Sequence, residues 1–163
     1  MIMQKIKILI LIAAAAILAV IFFKIVSGKT SLRIVDEYNL DKTKFPYVNW
    51  RASLKIIKAT VAEILDYRTL RTDTGSIVML CDIDKVVKGN EAVDFLKKEI
   101  LKKEVIISIS GNSSDYSGIF YGVVFYDNAR KCLNRELYDK GFVKVRIENM
   151  YFITDKWFNV QTD

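Results

Sequence analysis

The sequence predicts a mainly β, α+β domain in which five strands close into a small barrel with two helices packed over it. Three observations carry that prediction. Segments rich in β-branched residues are separated by turn residues through the middle of the chain. Two stretches change to helical spacing. The elements then run three strands, helix, two strands, helix, the count of an OB-type Greek-key barrel.

The chain begins with an object of another kind. Ile8 to Phe23, "ILILIAAAAILAVIFF", has no polar residue, with Lys5 and Lys7 before it and Lys24 and Lys29 after it. With the flanking Ile6 and Ile25-Val26, the stretch over residues 6–26 reaches the ~20 residues that span a bilayer. Residues 1–30 are therefore expected to form one transmembrane signal-anchor helix. The alternative is a cleaved signal peptide and a secreted domain, because "VSGK" at Val26–Lys29 offers small residues to a peptidase. A short N-terminus carrying Lys5 and Lys7 is expected to stay in the cytoplasm, which places the domain on the extracytoplasmic side.

Residues 31–53 contain the one proline and show no clear period, so they are expected to be a linker or a strap packed on the domain by Phe45, Tyr47 and Trp50. The barrel is expected over residues 54–147. "LKIIKATVAEIL" from Leu54 is the first strand, Thr69–Thr72 the second, and Asp73-Thr74-Gly75 the turn that follows. "SIVMLCDID" is the third strand. In "GNEAVDFLKKEILKK" the apolar residues Ala92, Val93, Phe95, Leu96 and Ile100 share one face, and Asn90 is placed to cap a helix. "EVIISIS" and "IFYGVVFY" are the fourth and fifth strands, joined to the next element by a turn at Asp127-Asn128. "RKCLNRELYDKG" is the second helix, with Leu133 and Leu137 one turn apart and Gly141 as its stop. "FVKVRI" is a last extended piece, and residues 148–163 are expected to pack back on the barrel as an aromatic tail.

Charge and composition narrow the function. The chain carries 25 Lys and Arg against 19 Asp and Glu, but four of the lysines lie in residues 1–30, where there are no acids. Residues 31–163 thus hold 21 cations against 19 anions, which is no electrostatic footprint for nucleic acid. There is no histidine, which removes Ser-His and Cys-His pairs and imidazole zinc sites. Cys81 and Cys132 are either two small buried apolar side chains or, in an exported domain, one disulfide.

The stretch "DYSGIFYGVVFYDNARKCLNRELYDKGFVKV" resembles the staphylococcal nuclease-like (thermonuclease) family. That family has a loop ending in an Asp-x-Tyr-Gly-Arg type motif, a strand, a turn, and a helix of the form Leu/Val-Asn-x-x-Leu-x-x-x-Gly. Asp115, Gly118, Asp127, Leu133-Asn134, Leu137 and Gly141 stand in those places. "ATVAEILDYRTL" is similar to the family's first hairpin, and "AVDFLKKEILKKEVIISIS" to its first helix and the strand after it. The likeness runs from Leu54 to Val145.

In that family two carboxylates hold calcium, a glutamate activates water, and two arginines grip the phosphate, each a role suited to its chemistry. The resemblance places these roles on residues that do not perform them. Arg68 falls where the hairpin has a metal aspartate, with Asp66 keeping only the motif's first acid. Val78 or Met79 stands for one arginine, Val87 for the glutamate and Ile119 for the other arginine. Asp84, with Asp82 as the alternative, is the one metal carboxylate that survives. Losing a single charge-stabilising donor costs on the order of 10²–10³ in rate. The expectation is a degenerate, non-catalytic homologue of the thermonucleases, a pseudoenzyme without a cofactor.

The remaining candidates are a weak cation site at Asp84 with Asp82 or Asp66, and a binding face of Arg68, Arg71, Tyr116 and Tyr121. Solvated loop acids and core aromatics are the plainer accounts of both. The expected role is a membrane-anchored OB-fold binding or scaffolding module that meets a protein partner in preference to nucleic acid. The alternatives are a divergent calcium-dependent nuclease acting on DNA or RNA, and a binder of single-stranded nucleic acid.

Overall fold

The computed structural model of the chain describes residues 38–110 and 119–146. The segment expected to anchor the chain in a membrane (residues 1–30), Tyr116 and residues 148–163, expected to pack back on the barrel, lie outside the described residues. Among the described residues no helix is long and apolar enough to cross a membrane.

Within the described residues the strands and helices follow one another as β1 (Ser53–Ile64), β2 (Thr69–Thr72), β3 (Ile77–Leu80), β4 (Ile83–Val86), α1 (Gly89–Ile100), β5 (Glu104–Ser110), β6 (Ile119–Tyr126), β7 (Lys131–Cys132), α2 (Leu133–Asp139) and β8 (Val143–Val145). β1 is shared between two neighbours. Its first half pairs antiparallel with β5 from Ser53↔Ser110 to Thr60↔Glu104, and its second half pairs with β2 from Val61↔Thr72 to Ile64↔Leu70. The register slips between Val61 and Glu63, so an extra residue bends the strand where it changes partner. β2 pairs with β3, β3 runs parallel to β6 from Ile77↔Ile119 to Leu80↔Gly122, and β6 returns to β5. Following β1, β2, β3, β6, β5 and back to β1 closes a five-stranded mixed barrel.

The third strand is shorter than its sequence suggests. "SIVMLCDID" breaks at Asp82, whose φ of 58° is left-handed, a conformation aspartate tolerates better than most residues. Past that break Ile83–Val86 leaves the barrel and forms a two-stranded ribbon with β8. The second helix also starts late, because Lys131–Cys132 first pairs with Phe125–Tyr126. Its preceding turn spends three left-handed residues, Asp127, Asn128 and Ala129. Asn90 does not cap α1. The helix begins at Gly89 behind Lys88, where the amides of Val87 and Lys88 both donate to the Phe142 carbonyl, at 2.8 and 3.1 Å, and fix the entry of the chain.

Two cores flank the barrel wall. Inside, Val61, Leu70, Val78, Ile107 and Val124 meet Leu96 and Ile100 of α1 and Leu133 and Leu137 of α2. Outside, residues 38–52 form a strap over β5 and β6. Phe45 and Trp50 both lie against Phe125, with ring centroids at 4.7 and 5.5 Å. Two short 3-10 turns shape the strap, capped by the side chains of Asp41 and Asn49. Coverage on both faces explains why "EVIISIS" and "VVFY" read as nearly continuous apolar runs: Ile107 and Val124 face the inner core while Ile106, Val123 and Phe125 face the strap.

α2 ends in a two-bond stop. The Phe142 amide donates to the Leu137 carbonyl at 3.0 Å and the Gly141 amide to Tyr138 at 2.8 Å, with Gly141 at φ 66°. An added Cβ at Gly141 would meet nothing within 4 Å, so only backbone strain opposes it. Gly141→Ala is therefore expected to cost about 1 kcal/mol of stability in a urea melt. A loss beyond about 2 kcal/mol would show that the site does more than end a helix.

Candidate functional site

The break at Asp82 creates a concavity on the barrel. Leu80 ends β3, Cys81 and Asp82 turn the chain, and Ile83 starts the outer ribbon, leaving a cleft of about 570 Å³ beside the turn. Arg68 reaches it from the loop before β2, Met79 from β3, Tyr121 from β6, Ser110 from the end of β5 and Arg146 from just beyond β8. Two backbone bonds lock the arrangement: the Leu80 amide donates to the Arg68 carbonyl at 2.7 Å, and the Arg146 amide to the Asp82 carbonyl at 2.9 Å.

The candidates named from sequence divide sharply. Arg68 and Tyr121 line the cleft, and Tyr121 is 40% exposed. Arg71 does not. It sits on β2 opposite Glu63 of β1, and the two form a surface ion pair at 3.3 Å. Asp82 lines the cleft, whereas Asp84 is exposed on β4 and Asp66 is exposed in the β1–β2 loop, its carboxylate accepting from the Arg68 amide at 2.8 Å. Among the described residues no group of three or more carboxylates and thiols could hold a metal ion, so Asp66, Asp82 and Asp84 do not form one site. Of the other positions to which the resemblance assigns a role, Met79 lines the cleft, and Val78 is fully buried behind it. Val87 lies 54% exposed past β4, and Ile119 pairs with Ile77 at the start of β6.

Arg146 is a cleft residue that sequence reasoning misses. It carries no pattern of its own and reaches the cleft only because β8 pairs with β4. The aromatic run of β6 divides as a strand does: Phe125 and Tyr126 are buried, while Tyr121 faces outward.

The floor of the cleft is held by one buried polar side chain. Asn134 of α2 is fully buried; its Oδ1 accepts from the Val124 amide at 3.1 Å, and its Nδ2 donates to the carbonyls of Cys81 at 3.1 Å and Gly122 at 3.4 Å. The asparagine of the Leu-Asn-x-x-Leu pattern thus ties the second helix to the turn that opens the cleft.

Both cysteines are free and buried. Burial pushes the Cys132 thiol up to about 12 and the Cys81 thiol well above its ordinary value, the latter raised further by Asp82. Neither is poised as a nucleophile. A folded-state pKa raised above the unfolded value of ~8.5 stabilises the protein below pH ~8.5 and loses that contribution as pH rises toward the folded value. Stability is therefore expected to stay level to pH ~8.5 and then to fall. Burial also raises the phenols of Tyr47 and Tyr126, so the Cys81→Ala, Cys132→Ala double variant should begin to fall only near the tyrosine range of pH ~10. Urea midpoints measured against pH test this, and an unchanged onset in the double variant would refute it.

No protein-family model matches the chain, and no curated protein matches it either.

Proposed function

We propose that this chain is a membrane-anchored module built on a degenerate nuclease-like OB barrel, which binds or scaffolds a protein partner and does not cut phosphodiester bonds. Residues 6–26 hold it in the bilayer as a single span, with the barrel on the extracytoplasmic side. The strand order, with its parallel closure between β3 and β6, supports the OB reading.

The observation that carries the proposal is the make-up of the cleft. The cleft is lined by Arg68 and Met79, which the resemblance sets, in turn, where the family has a metal carboxylate and at or beside the place of a phosphate-gripping arginine. Of the two candidates for the surviving metal carboxylate, Asp84 is not among the residues lining the cleft, and Asp82, which is, stands there with Arg68 and Arg146. A cation in place of a calcium ligand repels the metal, and without the metal the attacking water and the leaving oxygen both lose their stabilising charge. The nearly balanced charge of residues 31–163 also argues against a polyanionic partner.

The test is to incubate the full chain in detergent micelles with labelled single-stranded DNA and RNA, in calcium and in chelator. The expected result is neither cleavage nor retention at physiological salt. Calcium-dependent cleavage that vanishes in Asp84→Ala would replace this reading with a divergent nuclease. Salt-dependent retention without cleavage would replace it with a single-strand binder.

A further inference from the structure

We propose that the cleft receives a single carboxylate of a protein partner, a glutamate or aspartate side chain held between the guanidinium groups of Arg68 and Arg146. The inference rests on the protein-facing reading above and names the chemistry by which the partner is recognised.

Arg71 and Arg135 each hold a carboxylate within the domain, at 3.3 and 2.8 Å. Arg68 and Arg146, which line the same cleft, hold none among the described residues. Arg68 is nevertheless positioned. Its Nη1 donates to the Ile83 carbonyl at 3.3 Å, and its guanidinium carbon lies 5.8 Å from the centre of the Tyr67 ring. One of its five donors is used and the others remain. A side chain already held in place loses less freedom on binding, which favours a ligand matched to its fork. Arg68 is half-buried, so it has given up part of its hydration without gaining a counter-charge from the described residues. An incoming carboxylate restores what burial removed.

The same wall selects against a run of phosphates. Among the described residues that line the cleft, Asp82 stands with the two arginines, a balance of one positive charge. A single carboxylate balances that charge, while successive phosphates would be brought against Asp82. Tyr121 adds an exposed aromatic face, and a cleft of about 570 Å³ has room for a few side chains of a bound segment.

The experiment follows the side-chain Nε–H resonances of Arg68 and Arg146 in the full chain in micelles. The probes are the blocked peptide Ac-Gly-Ser-Glu-Phe-Gly-NH2, the same peptide with Gln for Glu, and a short oligothymidylate. The Glu peptide is expected to shift both resonances saturably and to bind ~10-fold or more tightly than the Gln peptide, the difference between a charge-assisted and a neutral pair. Binding should be lost in R68Q and in R146Q, and R68K should fall between, having the charge without the fork. R146Q carries the test if loss of the Ile83 bond unfolds R68Q. Equal response to the two peptides, or none to either, overturns the inference and leaves the protein-facing reading standing if the oligonucleotide is also silent. Tighter binding of the oligonucleotide at the same arginines overturns both.

Discussion

Asn134→Leu is expected to unfold the domain under conditions where the parent is folded, or to lower its stability by ~2–6 kcal/mol if it survives. The side chain is fully buried and serves three backbone groups at once. Leucine fills similar space but leaves the Val124 amide without an acceptor and the Cys81 carbonyl without its donor. Each buried orphan costs about 1–3 kcal/mol, and neither group can turn to water where it lies. The Gly122 carbonyl is spared, because it still accepts from the Cys81 amide at 2.9 Å. N134D separates hydrogen bonding from packing. Its carboxyl can still accept from Val124 but, once ionised, faces the Cys81 carbonyl with no proton to give. Its folded pKa should be raised above the unfolded ~3.9, so N134D should be most stable in mild acid and lose stability as pH rises. Urea melts at pH 4 and pH 7 test the sign. A parent-like melt of Asn134→Leu would mean that the helix does not hold the cleft floor.

That asparagine also marks how much of the molecule is legible in the sequence. Leu133, Asn134, Leu137 and Gly141 stand out as a pattern, and each serves a physical purpose. Two side chains fill the inner core, one makes a polar tie, and one is a left-handed stop. Local signals of this kind survive because the turn or the helix face that needs them is close in sequence. The strand run from Leu54 and the apolar face of α1 are legible for the same reason. What cannot be read locally is set by pairing over distance. Nothing local separates "IVML" from "IDKV"; the break at Asp82 follows from Ile83–Val86 finding β8, some sixty residues later, as its partner. The entry of α1 departs from the Asn90 cap likewise, since the Phe142 carbonyl that receives its entering chain belongs to the same distant segment.

The candidate site shows the same division. Arg68 and Tyr121 are legible because one ends a hairpin loop and the other alternates with core residues along a strand. Arg71 looks equivalent to Arg68, three residues away, yet the slipped register of β1 sets Glu63 opposite it and turns it into a surface pair worth at most about 1 kcal/mol. Arg146 carries no signal, because only the β4–β8 ribbon brings it to the turn at Asp82. The cleft is thus a product of tertiary pairing, assembled from the ends of several strands and a loop.

Gly122→Ala should be the most damaging single-methyl change in the barrel. Gly122 sits on β6 between two partners, opposite Leu80 of parallel β3 and Ile109 of antiparallel β5. A Cβ built there would lie 2.7 Å from the Ser108 carbonyl oxygen and 3.1 Å from Ile107 Cγ2. The nearer atom is backbone in a closed strand, so no rotamer change relieves the contact. β5 and β6 must separate locally, and β5 is held on its other side by β1. Overpacking of this kind costs about 1–3 kcal/mol when side chains can move, and here the upper end or more is expected. The effect should also reach the cleft, because the Gly122 carbonyl accepts from both Cys81 and Asn134. Amide exchange provides the discriminating measurement. Protection should fall at Cys81, which donates to Gly122, and along the β5–β6 pairing, while the β1–β2 hairpin keeps its own. Uniform loss of protection would indicate global destabilisation alone. Unchanged protection with a parent-like melt would mean that the two strands stand farther apart than the 2.7 Å approach requires.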